Sequence, residues 1–191
     1  MNRVKPHQVR IIGGTLRGRK LPVVDIDGLR PTSDRIRETL FNWLAMACPG
    51  ASVLDCFAGT GVLGFEAFSR AAKRVTMVEK DAIAWQKLRQ QVDAFQCGQI
   101  TLLSGDVMEL IPGMDKPFDM VFVDPPYAMP QLRCQVISCL IDNQLLIDGA
   151  IIFIEWPASE QFVLPVSDLC WLKQKKAGLV NFGIAEWSSS R

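Results

Sequence analysis

The 191-residue chain predicts an α/β fold: a mostly parallel sheet covered by helices on both faces, closed by an antiparallel strand at one edge. Two observations carry this prediction. Five apolar strand-like runs alternate with amphipathic helical stretches, and the runs are apolar throughout, as strands buried on both faces must be. The last two β-prone runs follow each other with only a glycine turn between them, which marks an antiparallel ending.

The elements follow in order. "VRIIGGTLRGRKLPVV" holds two β-prone runs parted by Gly13, Gly14 and Gly18 and predicts a small basic hairpin. "RPTSDRIRETLFNWLAMA" predicts a helix capped by Thr32 or Ser33, with Ile36, Leu40, Leu44 and Ala47 on one apolar stripe. "CPG" at 48–50 stops it. "SVLDCF" predicts a strand, "VLGFEAFSRAA" a helix, and "RVTMVE" a second strand. "DAIAWQKLRQQVDAFQ" predicts an amphipathic helix capped by Asp81. "QITLLSG" predicts a third strand, followed by a short helix near Val107–Ile111. "FDMVFVD" and "GAIIFIEW" predict two more strands around the helix "LRCQVISCLIDNQ". "CWLKQKKA" and "LVNFGIAEW" predict the closing pair, turning at Gly178. The chain divides into a basic extension over residues 1–31 and one domain over 32–191.

Composition excludes several chemistries. A chain of this size buries roughly 70% of its unfolded surface on folding, so it needs no staples. The six cysteines are scattered with no C-x-x-C pair, which argues against a zinc site or a disulfide framework and fits a reducing cytosol. The single histidine, His7, lies in the N-terminal tail, and no metal site is predicted. The longest apolar runs, such as Ala150–Ile154, are too short to span a bilayer, and "MNRVKPHQVR" has no apolar signal core, so the expected location is cytoplasmic.

Net charge is +1, but residues 1–40 carry nine Lys or Arg against four acids, while the remainder carries twelve against sixteen. A basic arm on a mildly acidic body suits a polyanion. Arg10, Arg17, Arg19, Lys20, Arg30, Arg35 and Arg37 are the candidate contacts to such a polyanion, which the resemblance given below makes an RNA.

"DCFAGTGVLG" follows the first sheet strand and opens a helix; Gly59, Gly61 and Gly64 fit G-x-G-x-x-G. Three features select the ligand. The loop sits where open α/β sheets bind nucleotides. Glu79 ends the next strand, twenty residues after Gly59, where a carboxylate holds a ribose diol. Asp55 ends the first strand, and no Lys or Arg lies between it and Phe65. A carboxylate facing a pyrophosphate at 4 Å is repelled by about 4 kcal/mol at an effective dielectric near 20. A ligand with an ammonium and a sulfonium is attracted instead, which points to S-adenosyl-L-methionine rather than NAD. Asp106 either accepts the adenine amino group or caps the short helix. The candidate cofactor contacts are Asp55, Phe57, Gly59, Gly61, Glu79, Lys80, Asp106 and Val107.

"DPPY" at 124–127 ends the fourth strand on the same sheet edge. An exocyclic amine on a nucleobase is a weak nucleophile because its lone pair is delocalised. Asp124 and the Pro125 carbonyl, on a loop stiffened by prolines, can accept its two hydrogens and steer the lone pair. Tyr127, the only tyrosine, offers a stacking face worth roughly 1–3 kcal/mol. Asp124, Pro125 and Tyr127 are the candidate catalytic residues.

These motifs resemble the class I methyltransferases that modify exocyclic amines. The N-terminal "RIIGGTLRGRKL" and "LRPTSDRIRETLFNWL" are similar to a narrower group, the RsmD family of 16S ribosomal RNA guanine-N2 methyltransferases. The resemblance spans nearly the whole chain. It implies a Rossmann-like, seven-stranded sheet, S-adenosyl-L-methionine as donor and one loop guanine of 16S rRNA as target, with the small-subunit particle a possible form of the substrate. Three other readings stay open: a DNA adenine-N6 methyltransferase, which lacks here a recognition domain; a non-catalytic RNA-binding assembly factor; and an NAD-dependent oxidoreductase, for which no catalytic His or Tyr–Lys pair is evident.

Overall fold

A computed structural model of the chain describes residues 8–23 and 32–189. His7 and Arg30 therefore lie outside the described residues. The hairpin is present, with β1 (Gln8–Arg10) antiparallel to β2 (Lys20–Pro22). Helix α1 (Asp34–Trp43) is capped by Ser33, whose hydroxyl accepts from the Ile36 N–H. It ends before Ala47, which is exposed and so is not part of the buried stripe.

Seven further strands form one sheet: β3 (Ser52–Asp55), β4 (Arg74–Glu79), β5 (Ile100–Ser104), β6 (Phe118–Val123), β7 (Leu146–Pro157), β8 (Leu169–Ala177) and β9 (Val180–Trp187). Their order is β5-β4-β3-β6-β7-β9-β8. The first five run parallel, and β9 pairs antiparallel with both β7 and β8. The antiparallel strand is thus one place in from the edge, and the outermost strand β8 again runs with the others. The β8–β9 hairpin folds back so that its second strand, the more apolar, takes the inner position, with Phe182, Ile184 and Ala185 buried. The lysine-bearing β8 faces water, which blunts edge-to-edge pairing.

Helices α2 (Val62–Ser69) and α3 (Ala82–Ala94) cover one face with α1, and the short α4 (Val107–Leu110) and α5 (Leu132–Asp142) cover the other. The period-2 alternation of the strands divides the core accordingly. Val53, Met77, Met120, Phe122 and Phe153 point to the α1–α2 side, while Leu54, Val78, Val121, Val123 and Ile154 point to the α5 side.

The described part of the basic arm packs on the body of the sheet domain. Ile11, Leu16 and Leu21 are buried in the same cluster as α1 and α2. The loop between β1 and β2 docks on the end of α2 through Thr15 N–H to Ser69 O (2.8 Å), Leu16 N–H to Ser69 Oγ (2.8 Å) and Ile12 N–H to Glu66 Oε1 (2.6 Å). Gly14, at φ +73°, passes so close that a Cβ there would lie 1.8 Å from the Ser69 carbonyl oxygen.

Candidate active site

The strand order reverses between β3 and β6, where a doubly wound sheet opens a crevice at the carboxyl ends of its strands. A cavity of about 330 Å³ occupies that crevice, within the range of small-molecule sites. It is lined by residues from β3, β4, β6 and β7 near their carboxyl ends and from the loops after β3, β4, β5 and β6, with Thr32 ahead of α1. Asp55, Phe57, Gly59, Glu79, Lys80, Asp106 and Val107 are among them, as are Asp124, Pro125 and Tyr127. The predicted cofactor and acceptor motifs therefore share one continuous pocket.

Glu79 shapes the glycine loop. Its Oε2 accepts the Gly59 N–H at 2.7 Å, and its Oε1 accepts the Asp81 N–H at 2.7 Å. Gly59 and Gly61 both have positive φ, and Gly61 caps α2. Gly61 does not line the cavity; a Cβ there would lie 2.4 Å from the Leu88 side chain, so its role is close packing of the loop on α3. Asp55 is buried, and its Oδ2 accepts the Gly64 N–H at 3.2 Å. Burial pushes its carboxyl up to about 7; the Gly64 hydrogen bond opposes this, and the charges of Asp124 and Glu79 add to it.

Asp106 makes the capping hydrogen bond, from Met108 N–H to Oδ1 at 3.0 Å, and its Oδ2 takes Lys80 Nζ at 2.8 Å. The Lys80 ammonium holds this carboxyl below the ordinary range. Lys80 is the only basic residue lining the cavity among the described residues, and Asp106 occupies it.

At the acceptor end, Asp124 Oδ2 receives a hydrogen bond from Thr32 Oγ1 at 3.2 Å. Burial raises the Asp124 carboxyl to about 6, against the Thr32 hydrogen bond and the charge of Arg133. Tyr127 is 40% exposed, and its hydroxyl donates to Glu155 Oε1 at 2.8 Å. Tyr127 lines the cavity and is tethered at its hydroxyl.

Sequence reasoning missed two of these residues. Thr32 was a candidate cap, but it turns to Asp124 and leaves the cap to Ser33. Glu155 is an acid inside the apolar run "GAIIFIEW", a signal that could have marked it.

The basic residues divide. Arg17, Lys20 and Arg35 are exposed. Arg19 is exposed and lies over the Phe95 ring at 5.4 Å, and Arg10 pairs with Asp34 at 3.2 Å. Arg37 corrects its expectation: it is fully buried and cannot meet a phosphate. Its guanidinium bonds Glu66 (3.2 Å), Asp34 (2.5 Å), the Arg10 carbonyl (2.8 Å) and the Thr32 carbonyl (3.1 Å). Glu66, also buried, is shared with Arg70. Arg37 thus joins the arm, α1 and α2, and through Thr32 reaches Asp124.

Known proteins resemble this chain along nearly its whole length. The model of the family described as "Conserved hypothetical protein 95" matches residues 9–186. The ribosomal RNA small subunit methyltransferase D of Escherichia coli K12 is 43% identical over 92% of this chain and 88% of its own length. The Haemophilus influenzae protein of the same name is 40% identical over 92% of each chain. The solved structure of the E. coli protein yhhF, described as a methyltransferase, superposes with a TM-score of 0.88 at 37% identity, over 96% of this chain and all of that one.

Proposed function

The chain belongs to the conserved hypothetical protein 95 family, which includes the ribosomal RNA small subunit methyltransferases D, and from that premise we propose that it methylates the exocyclic N2 amine of one loop guanine in 16S ribosomal RNA, with S-adenosyl-L-methionine as donor.

The observation that carries the donor assignment is the charge of the cavity. Asp55, Glu79 and Asp124 line it, and its one lysine is held by Asp106. A pyrophosphate entering here meets the carboxylates of Asp55, Glu79, Asp124 and Glu155 and, among the described residues, no cation but the Lys80 already paired with Asp106; a cationic amino-acid sulfonium meets attraction. Burial has pushed Asp55 and Asp124 up, so a positive ligand also relieves an unfavourable ionisation. Glu79, at the position for the ribose, retains lone pairs beyond its two backbone hydrogen bonds. When bound, the donor supplies an electrophilic methyl group.

The rest of the work falls to this chain's residues. Asp124 accepts one hydrogen of the amine, and the Pro125 carbonyl accepts the other, so the nitrogen lone pair is turned toward the methyl. Thr32 holds the Asp124 carboxylate in that orientation. Tyr127 supports the base face, its hydroxyl fixed by Glu155. Positioning of this kind can lower a barrier by about 7–11 kcal/mol, which suits a reaction whose nucleophile needs no strong base. The target guanine must leave its stack to enter the cavity, as bases of RNA loops do most readily. Arg17, Arg19, Lys20 and Arg35, on the arm and the start of α1, contact phosphates and position the RNA without reading its sequence. Arg10 adds charge to the same surface while paired with Asp34.

The test is Asp124→Ala. Single-turnover methyl transfer to 16S RNA is expected to fall at least a hundredfold, while the calorimetric dissociation constant for S-adenosyl-L-methionine stays within severalfold. Near-wild-type turnover would sink the acceptor role of Asp124.

A further inference from the structure

The loop after β6 is apolar where a surface turn is ordinarily polar. Residues 126–130 read Pro-Tyr-Ala-Met-Pro, and all five are exposed. Long exposed apolar runs invite association, and a fold keeps one where it is used. Its place in the fold shows where this one is used. Of the large apolar side chains exposed among the described residues, only Tyr127 and Met129 also line the cavity. Met129 is 49% exposed, which places it at the mouth of the cavity rather than on its floor.

The loop is also stiff. Pro125, Pro126 and Pro130 each fix their own φ, and no glycine lies between Asp124 and Leu132. The Met129 N–H donates to the Pro126 carbonyl at 2.9 Å. The Met129 carbonyl accepts the Leu132 N–H at 3.1 Å, which ties the turn to the first residue of α5. An apolar side chain is therefore presented at the mouth on a backbone that resists being pushed aside.

A base drawn out of an RNA stack leaves a gap between its two neighbours, whose faces then meet water. Proteins that unstack nucleic acids insert apolar side chains, methionine among them, between such bases. Resting on the N2-guanine reading above, we propose that Met129 is a positioning residue: it enters the gap left by the target guanine and holds the stack open while the guanine lies beside Tyr127 in the cavity. An unbranched thioether suits the task, because it adapts its shape and its sulfur makes favourable contacts with aromatic rings. Two residues of one rigid turn then divide the work, Tyr127 with the extruded base and Met129 with the stack it left.

The test uses the 16S substrate that the wild type modifies, naked or in a reconstituted particle, with 2-aminopurine ligated in place of one base adjacent to the target guanine. Its fluorescence is quenched by stacking. Saturating wild-type protein should raise the signal at least threefold, since the neighbour loses the guanine and is kept from closing the gap. With Met129→Ala the neighbours close on each other, and the rise should be less than half that of wild type. Single-turnover methyl transfer to the natural substrate should fall at least tenfold in Met129→Ala. Met129→Leu, which keeps an apolar side chain of similar volume, should recover to within threefold of wild type. The calorimetric affinity for S-adenosyl-L-methionine should stay within threefold in both variants. Equal fluorescence rises in wild type and Met129→Ala overturn the proposal, as does a wild type that gives no rise. Transfer by Met129→Ala within threefold of wild type overturns it as well, and so does a loss matched by weaker S-adenosyl-L-methionine binding, which would make Met129 a donor contact. A wild-type product other than N2-methylguanosine, or no methylated RNA, refutes the underlying reading instead, and nucleoside mass spectrometry distinguishes that outcome.

Discussion

Replacing Arg37 with Met tests how the basic arm is fixed to the catalytic body. The side chain is fully buried, and its guanidinium holds four acceptors from the arm, α1 and α2. Methionine fills a similar stem but donates nothing. Among the described residues, Glu66, equally buried, then keeps Arg70 and the Ile12 N–H. Breaking a buried ion pair by removing one partner costs about 3–5 kcal/mol, and the remaining partners of Glu66 place this case near 3. In a domain of this length, 1 kcal/mol shifts the melting temperature by about 2–4 °C, so a fall of about 6–12 °C is expected. Differential scanning calorimetry of Arg37→Met beside the exposed Arg35→Met makes the comparison. Arg35→Met should melt within about 2 °C of wild type. Because Arg37 also bonds the Thr32 carbonyl, and Thr32 bonds Asp124, turnover should fall while the salt dependence of RNA binding does not. A melting temperature within 2 °C of wild type, together with a flatter salt slope for RNA affinity, would refute this reasoning and return Arg37 to the phosphate contacts.

Three further outcomes are expected. Glu79→Ala should weaken cofactor binding by about 1.5–3 kcal/mol, measured by calorimetry, since it removes a charge-assisted hydrogen bond and loosens the Gly59 turn. Cofactor affinity should rise from pH 6 to pH 8 with release of protons on binding, because a cation favours the ionised form of Asp55, whose free carboxyl stands at about 7; Asp55→Asn should remove that pH dependence. The sign for folding is opposite. The folded pKa lies above the unfolded value of 3.8, so the folded state binds more protons, and the Asp55 contribution to stability is lost as pH rises from about 4 to 7. Arg17→Glu with Arg19→Glu should weaken RNA binding and flatten the plot of log affinity against log salt by about 0.7 per lost phosphate contact, in filter binding at four salt concentrations, with cofactor affinity unchanged.

Much of this was legible in the sequence because the signals are local. Asp81 and the apolar periods of α3 place that helix to within two residues, and Gly178 with φ +62° makes the predicted turn between β8 and β9. The glycine loop, Glu79 and "DPPY" were brought together as their strand-end positions require. What escaped depends on long-range pairing. Arg37 reads as a helix-surface charge until Glu66, 29 residues later, is placed against it. Strand β7 is longer than "GAIIFIEW" because Leu146 pairs with Phe118 across a register shift that no local pattern encodes. The place of β9 inside β8 is a choice of topology that leaves each strand's own pattern unchanged. Asp106 had two readings of equal standing; the geometry shows it capping α4 and paired with Lys80, a partner 26 residues away.

The most direct measurement is the identity of the methylated nucleoside. The protein is incubated with S-adenosyl-L-methionine and, separately, with unmodified 16S RNA, reconstituted small-subunit particles and double-stranded DNA, and the digests are analysed by mass spectrometry. The account predicts N2-methylguanosine from the RNA or the particle, at one nucleotide, absent with Asp124→Ala. N6-methyladenine in the DNA digest, or no methylated nucleoside from any of the three, would contradict it.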